Sequence, residues 1–231
     1  MTEDKIHLRD IRTFGRRDGR PLSRRQQTLV DDLLPRISIE RESDAPITSS
    51  SLFDEEAKDV WLEIGFGGGE HLIRRARQYP DIGLIGAEPF IDGVAKALGG
   101  IDDHKLENVR LFPDDVRLIL PRMEAGLIKR CFILFPDPWP KRRQQKRRLI
   151  QPDFLDDLAR VMAPGAPLRF ATDVASYADE ALWRILQHGA FEWQAEKADD
   201  WRKQPEDHEA TRYQLKGLGD CAPVWLEFQR I

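Results

Sequence analysis

The chain has 231 residues, of which 41% are hydrophobic and 33% charged, and its net charge is -4. That length and apolar content suit the single core of one α/β domain and would leave two folded domains cramped, while the slight acidity excludes a protein that coats nucleic acid over its whole surface. No apolar run approaches the roughly 20 residues that span a bilayer, and the Arg-rich start has no hydrophobic centre, so neither a membrane anchor nor a secretory signal is expected and the cytoplasm is the expected compartment.

Residues 5–25 carry Lys5, Arg9, Arg12, Arg16, Arg17, Arg20, Arg24 and Arg25 against only Asp10 and Asp18. The polar stretch SDAPITSSSLFD at 43–54 then reads as a linker, which divides the chain into a basic arm and linker at 1–50 and a domain at 51–231. From residue 60 onward apolar runs alternate with helical patterns, the mark of β-α-β units feeding a mostly parallel sheet. Strands are expected at 60–64, 82–87, 109–112, 131–135, 168–171, 191–195 and 224–228, and helices at 69–78, 90–98, 116–120, 152–162 and 177–188. The last two strands have no long crossover helix between them and are expected to form a hairpin. The expected fold is therefore α/β and Rossmann-like, as in class I methyltransferases: seven strands, one antiparallel, with helices on both faces.

The first strand runs straight into glycines. Residues 60–70 read VWLEIGFGGGE, with Gly65, Gly67, Gly68 and Gly69 between Glu63 and Glu70. A glycine loop lets backbone approach a nucleotide closely, so strand, loop and helix together suggest a cofactor site. The dinucleotide fingerprint G-x-G-x-x-G fails, because counting from Gly65 its last position is Glu70. A pyrophosphate would also meet two carboxylates at the helix mouth. S-adenosylmethionine is cationic at its sulfonium and ammonium, and a carboxylate beside Gly65 and Gly67 attracts it.

In an open parallel sheet, ligands bind beyond the carboxyl ends of the strands, so acidic residues at successive ends can meet in one crevice. Glu63, Glu88, Asp115 and Asp137 stand at the first four strand ends. Glu88, twenty-five residues after Glu63, has the offset of a carboxylate that accepts from ribose hydroxyls. Asp115 either accepts from an adenine amine or caps the helix that Val116 opens.

The fourth strand end, FPDPWPKRRQQKRR at 135–148, holds six cations in the eight positions from Lys141. Two prolines restrict the backbone around Asp137, and Trp139 supplies a flat face beside it. A rigid acceptor next to a stacking surface suits guanine, whose Watson-Crick edge offers two donors and whose ring stacks on an aromatic side chain. The N7 atom has a free lone pair, so its methylation requires positioning rather than deprotonation. Trp139 could equally seal the core. Cys131, inside the apolar run CFILF, reads as a small buried hydrophobe, and the five histidines show no ligand spacing, so no metal site is expected.

Together these residues resemble the bacterial tRNA (guanine-N7)-methyltransferase family. The basic arm at 11–27, LEIGFGGG from Leu62, the strand-end Glu88, FPDPWPKRRQQKRR, ATD at 171–173 and TRYQ at 211–214 occur in that family's order and approximate spacing. The resemblance implies S-adenosylmethionine as methyl donor and, as substrate, the variable-loop guanosine at tRNA position 46. It implies a cofactor set of Glu63, Gly65, Gly67, Glu88, Asp115 and Asp137, with Asp137 also catalytic. It implies substrate contacts at Lys141, Asp173, Thr211, Arg212, Tyr213 and Gln214, and RNA contacts from Arg143, Lys146, Arg147 and Arg148. Gln214 departs from the family's T-K-F-E by replacing a carboxylate with an amide, and EPF at 88–90 departs from the commoner E-V-H. No obligate protein partner is evident. Two other readings use the same features: an RNA-binding scaffold on a methyltransferase-like fold that has lost its cofactor, and a methyltransferase for a small amine that would donate to Asp137.

Overall fold

The computed structural model describes residues 19–53 and 57–231; the arm cations from Lys5 to Arg17 lie outside the described residues. The first helix, α1 (Arg24–Asp32), opens on a capping box: the Ser23 hydroxyl accepts from the Gln26 amide, and the Gln26 side chain accepts from the Ser23 amide. One turn, α2 (Leu34–Ile37), follows directly, and α3 (Ser49–Leu52) comes after an extended stretch. Leu29, Val30, Leu33, Leu34 and Ile37 pack on one buried cluster, and Ile39, Ile47 and Phe53 belong to the main core. The stretch at 43–54, expected as a linker, is therefore a strap laid on the domain as far as Phe53. It holds because Phe53 fits where Gly83 has no side chain; a Cβ there would lie 2.4 Å from the Phe53 ring. Each such apolar side chain contributes roughly 1.5–3 kcal/mol on burial.

Strands and helices then alternate: β1 (Asp59–Ile64), α4 (Glu70–Gln78), β2 (Ile82–Ala87), α5 (Ile91–His104), β3 (Val109–Phe112), β4 (Ile128–Leu134), α6 (Pro152–Val161), β5 (Pro167–Thr172), α7 (Ala175–His188), β6 (Phe191–Trp193), the single turn α8 (Asp199–Arg202) and β7 (Val224–Arg230). Seven strands form one sheet in the order β3-β2-β1-β4-β5-β7-β6. The first five pair in parallel, and β7 is antiparallel to both β5 and β6. This is the expected doubly wound sheet with one reversed member and a closing hairpin. The strand order reverses between β1 and β4, which opens a crevice at their carboxyl ends.

Three elements differ from the expectation for identifiable reasons. β4 starts at Ile128, because the exposed Lys129 and the half-buried Arg130 hide its first residues from an apolar pattern. The 116–120 segment is two 3-10 turns, Val116–Leu118 and Leu120–Arg122, rather than an α-helix; Pro121 has no amide to continue a ladder. α5 runs on to His104 through Gly99 and Gly100, since Gly100 lies where Ile73 packs, with an added Cβ 2.2 Å from Ile73 Cδ1. α1 docks on that extension, where Arg25 pairs with Asp102 at 3.0 Å and Asp103 at 2.5 Å. The extended chain just after α2 covers the outer edge of β3, where the Ile39 amide donates to the Leu111 carbonyl at 2.8 Å.

Candidate active site

After β1 the backbone turns through Gly65, Gly67 and Gly69 at φ of 74°, 55° and 81°, the left-handed region that L side chains adopt at a cost. A Cβ on Gly65 or Gly67 would meet nothing within 4 Å, so the loop presents bare backbone to open space. The loop is held from behind by Glu88, whose Oε2 accepts from the Gly67 amide at 2.8 Å and Oε1 from the Phe90 amide at 2.9 Å. Burial raises the Glu88 carboxyl above the usual carboxylate range; the two amides oppose this, and the charges of Asp137 and Glu63 add to it. Gly93 of α5 closes the other side, with room for a Cβ only 2.3 Å from the Gly67 carbonyl oxygen.

Glu63, Gly65, Gly67, Glu88, Asp115 and Asp137 all line one cavity of about 770 Å³, within the size range of small-molecule sites. The side chains at four strand ends have thus converged. Asp115 caps the first 3-10 turn by accepting from the Arg117 amide at 3.1 Å, and also pairs with the Arg117 guanidinium at 2.9 and 2.6 Å while facing the cavity. Its neighbour Asp114 also lines the cavity and pairs with Arg41 at 2.6 Å. The donor set fits S-adenosylmethionine: bare glycine backbone with open space beside it, an acceptor pair at Glu88, and acidic walls for a cation.

Asp137 faces the cavity where its two prolines hold it, and burial by the surrounding walls raises its carboxyl. Its flanks are strained: Phe135 and Trp139 have φ of 53° and 42°, conformations that cost non-glycine residues roughly 1–3 kcal/mol and gather at functional sites. The Arg147 guanidinium lies over the Trp139 ring, 5.0 Å from its centroid. Across from them stands Tyr213, 5.7 Å from Phe135 between ring centroids. Burial raises its phenol, and the Asp173 and Asp137 carboxylates add to the shift, Asp173 also as its hydrogen-bond partner. Asp173 itself is buried, and its carbonyl accepts from the amides of Asp220 and Cys221. Thr211 and Arg212 complete this lip, with Arg212 3.2 Å from Glu70.

The remaining expected RNA contacts separate. Lys141, Arg143 and Lys146 are exposed on or beside the 3-10 segment Arg142–Arg147, and Arg147 lines the cavity. Arg148 must be corrected: it is 2% exposed and turned inward. It donates to the carbonyls of Pro138 and Ser176 at 2.8 and 2.9 Å, to Ser176 Oγ at 2.9 Å and to the Glu180 carboxylate, so it braces the strand-end loop and has no face for a phosphate. Gln214 also turns inward: its Oε1 accepts from the Thr211 amide at 2.9 Å and lies 2.7 Å from His208 Nε2. An amide oxygen serves there as a carboxylate would.

The sequence reading passed over His71, Arg75, Gly93 and Asp207. His71 and Arg75 leave a trace, being polar residues at i and i+4 on the buried stripe of α4. Gly93 and Asp207 leave none. Among the described residues no cluster of His, Cys, Asp and Glu could hold a metal ion, and no helix is long and apolar enough to cross a membrane.

Sheet order, glycine loop and strand-end carboxylates together define a class I methyltransferase fold. Solved structures agree on the fold: the aminoglycoside resistance methyltransferase NpmB1 (15% identity, 75% of this chain and 88% of that one, TM-score 0.50) and the 16S rRNA methyltransferase KamB (18%, the same coverages, TM-score 0.51). A sequence profile described as "Putative methyltransferase" matches residues 57–225. Proteins called tRNA (guanine-N(7)-)-methyltransferase are similar over almost the whole chain: one from Hyphomonas neptunium at 56% identity (95% of this chain, 99% of that protein), one from Caulobacter vibrioides at 49% (95% of each) and one from Rhodospirillum rubrum at 45% (96% and 88%). The chain belongs to the tRNA (guanine-N7)-methyltransferase family.

Proposed function

We propose that this chain methylates N7 of a guanosine in tRNA, that the guanosine is the variable-loop residue at position 46, that S-adenosylmethionine is the methyl donor and that the reaction takes place in the cytoplasm. The observation that supports this most is Asp137. It stands, rigid between two prolines, where the acid-walled glycine crevice meets the aromatic and basic lip.

Gly65 and Gly67 would present backbone to the donor, Glu88 would accept from its ribose, and Glu63 would stand behind it as an acidic wall. When bound, S-adenosylmethionine would supply an electrophilic methyl carbon: N7 would bond to it with its lone pair as the methyl–sulfur bond breaks, the electron pair would stay on sulfur to leave neutral S-adenosylhomocysteine, no proton would be released, and positive charge would remain on the guanine ring. Asp137 accepts from the donor edge of the base and stabilises that charge as it develops. Trp139 and Tyr213 hold the ring plane, which matters because the reacting atoms must stand about 3 to 3.5 Å apart and in line. Lys141, Arg143 and Lys146 face solvent beside the lip, where tRNA phosphates approach.

The test is incubation of the protein with labelled S-adenosylmethionine and unmodified tRNA, followed by nuclease digestion and mass analysis. The expected product is N7-methylguanosine at position 46, lost in Asp137→Ala while tRNA affinity stays within about twofold. No N7-methylguanosine from the wild type, or full turnover by Asp137→Ala, would refute the assignment.

A further inference from the structure

A chain of polar contacts runs from the crevice to the root of the loop that holds residues 211–214. Glu63 Oε2 lies 2.8 Å from His71 Nδ1, and both side chains are buried. The Arg75 Nε hydrogen points to His71 Nε2 at 3.2 Å. A guanidinium only donates, so that ring nitrogen accepts and Nδ1 holds the hydrogen given to Glu63. Arg75 then reaches the loop, donating to Asp207 Oδ2 at 2.6 Å and to the Asp207 carbonyl at 2.9 Å. The other carboxylate oxygen takes Arg169 at 2.8 Å, and Arg130 stands 4.0 Å from Oδ2.

Asp207 therefore closes a nest of three guanidiniums whose planes gather around Phe132, 5.3 to 5.8 Å from its centroid. All three arginines come from the sheet and α4, and only Asp207 comes from the loop. Burial opposes its ionisation; Arg169 and Arg75 overcome this and take the carboxyl down to about 2. The next residue makes a second pin. The His208 ring lies 4.5 Å from that of Trp225 and 5.7 Å, stacked, from that of His71. Its Nε2 hydrogen goes to Gln214 Oε1, the same oxygen that holds the Thr211 amide. Two successive residues thus fasten a loop whose Tyr213 and Arg212 face Phe135 and Glu70 across the crevice mouth.

We infer that Asp207 is a positioning residue for the substrate guanosine: through Arg75 and His71 it holds the 211–214 loop in register with Glu63, so that the base is presented to the donor site. This rests on the reaction proposed above. Asp207 does not line the cavity, and it lies in the loop rather than in the sheet. Its loss leaves the buried Arg75 and Arg169 short of a counter-charge, so Tm falls too, and what marks a positioning role is a raised tRNA KM with the donor site intact.

The experiment compares the full-length wild type with Asp207→Asn and Asp207→Glu, measuring kcat and KM for unmodified tRNA, calorimetric affinity for S-adenosylhomocysteine, and Tm. Loss of a charged hydrogen-bond pair at the loop root is expected to raise the tRNA KM of Asp207→Asn by about tenfold, with kcat within about threefold and S-adenosylhomocysteine affinity within about twofold. Asp207→Glu keeps the charge and should fall between the two. Unchanged KM would overturn the inference, as would KM, S-adenosylhomocysteine affinity and Tm all failing together, which is the pattern of a merely structural contact. If Asp207→Asn does not fold, the displaced carboxylate of Asp207→Glu applies the same test with a smaller rise, and a wild-type KM there overturns it. A wild type that methylates no tRNA refutes the reaction itself, a result distinct from a normal KM in the variants.

Discussion

Replacing Arg148 by Ala separates a buried brace from an RNA contact, because the cation run contains both. Arg148 is 2% exposed and gives hydrogen bonds to two carbonyls, to Ser176 Oγ and to Glu180, with its guanidinium 4.7 Å from the Tyr177 ring centroid. Its removal leaves the Pro138 and Ser176 carbonyls without this donor and leaves Glu180 to Arg184 alone, at 2.7 Å. Breaking a buried ion pair from one side costs about 3–5 kcal/mol. For a chain of this size each kcal/mol moves Tm by about 2–4 °C, so a fall on the order of 10 °C is expected by calorimetry. Arg143→Ala is the control, since that side chain is exposed: Tm should hold within about 1 °C while the slope of log affinity for tRNA against log salt shallows by about 1. The opposite pattern, with Arg148→Ala stable but poor at binding tRNA in a salt-dependent way, would show that Arg148 swings out to meet RNA and that the brace is wrong.

Gly93→Ala puts a methyl 2.3 Å from the Gly67 carbonyl, which must shift the glycine loop; S-adenosylmethionine affinity should fall by more than about tenfold, and unchanged affinity would mean that the loop does not contact the donor. Burial raises the carboxyls of Glu88 and Asp137, so they take up protons at higher pH than free carboxylates do, and S-adenosylmethionine affinity should weaken as pH falls through that raised range. Glu88→Gln should flatten this dependence in a calorimetric pH series, and an unaltered profile would remove Glu88 from the donor site. Burial also lowers His208 to about 4 against an ordinary 6.5; the Gln214 side chain opposes this, and the Arg74 and Arg169 charges add to it. Between those values the unfolded chain holds a proton that the folded one does not, so this contribution to stability is complete above about 6.5 and is lost as pH falls toward 4. An NMR titration of His208 with a midpoint near the ordinary value would contradict the buried, neutral ring.

What the sequence revealed of this site, and what it concealed, follows from how far apart the interacting groups lie along the chain. The glycine loop was legible because strand, turn and helix are contiguous, and glycine adopts the left-handed backbone at Gly65, Gly67 and Gly69 without the cost other residues meet there. Glu63, Glu88, Asp115 and Asp137 were legible because a parallel sheet brings successive strand ends together whatever lies between them. Arg148 was not, since it has the same chemistry as Arg147 and differs only in facing Ser176 and Glu180, 28 and 32 residues away on α7. Nor was Asp207, whose partners Arg75 and Arg169 lie 132 and 38 residues upstream. Motifs of this kind record what a ligand demands of backbone and charge; they do not record which members of a charged run the fold takes for itself. That division has a physical consequence at the fourth strand end. The strained Phe135-to-Trp139 turn keeps Asp137 aimed only while something grips its far side, and Arg148, bound to the Pro138 carbonyl, is that grip. On the function proposed above, exposed cations bind and release RNA without disturbing the carboxylate, because Arg148, which braces its turn, is buried away from phosphate.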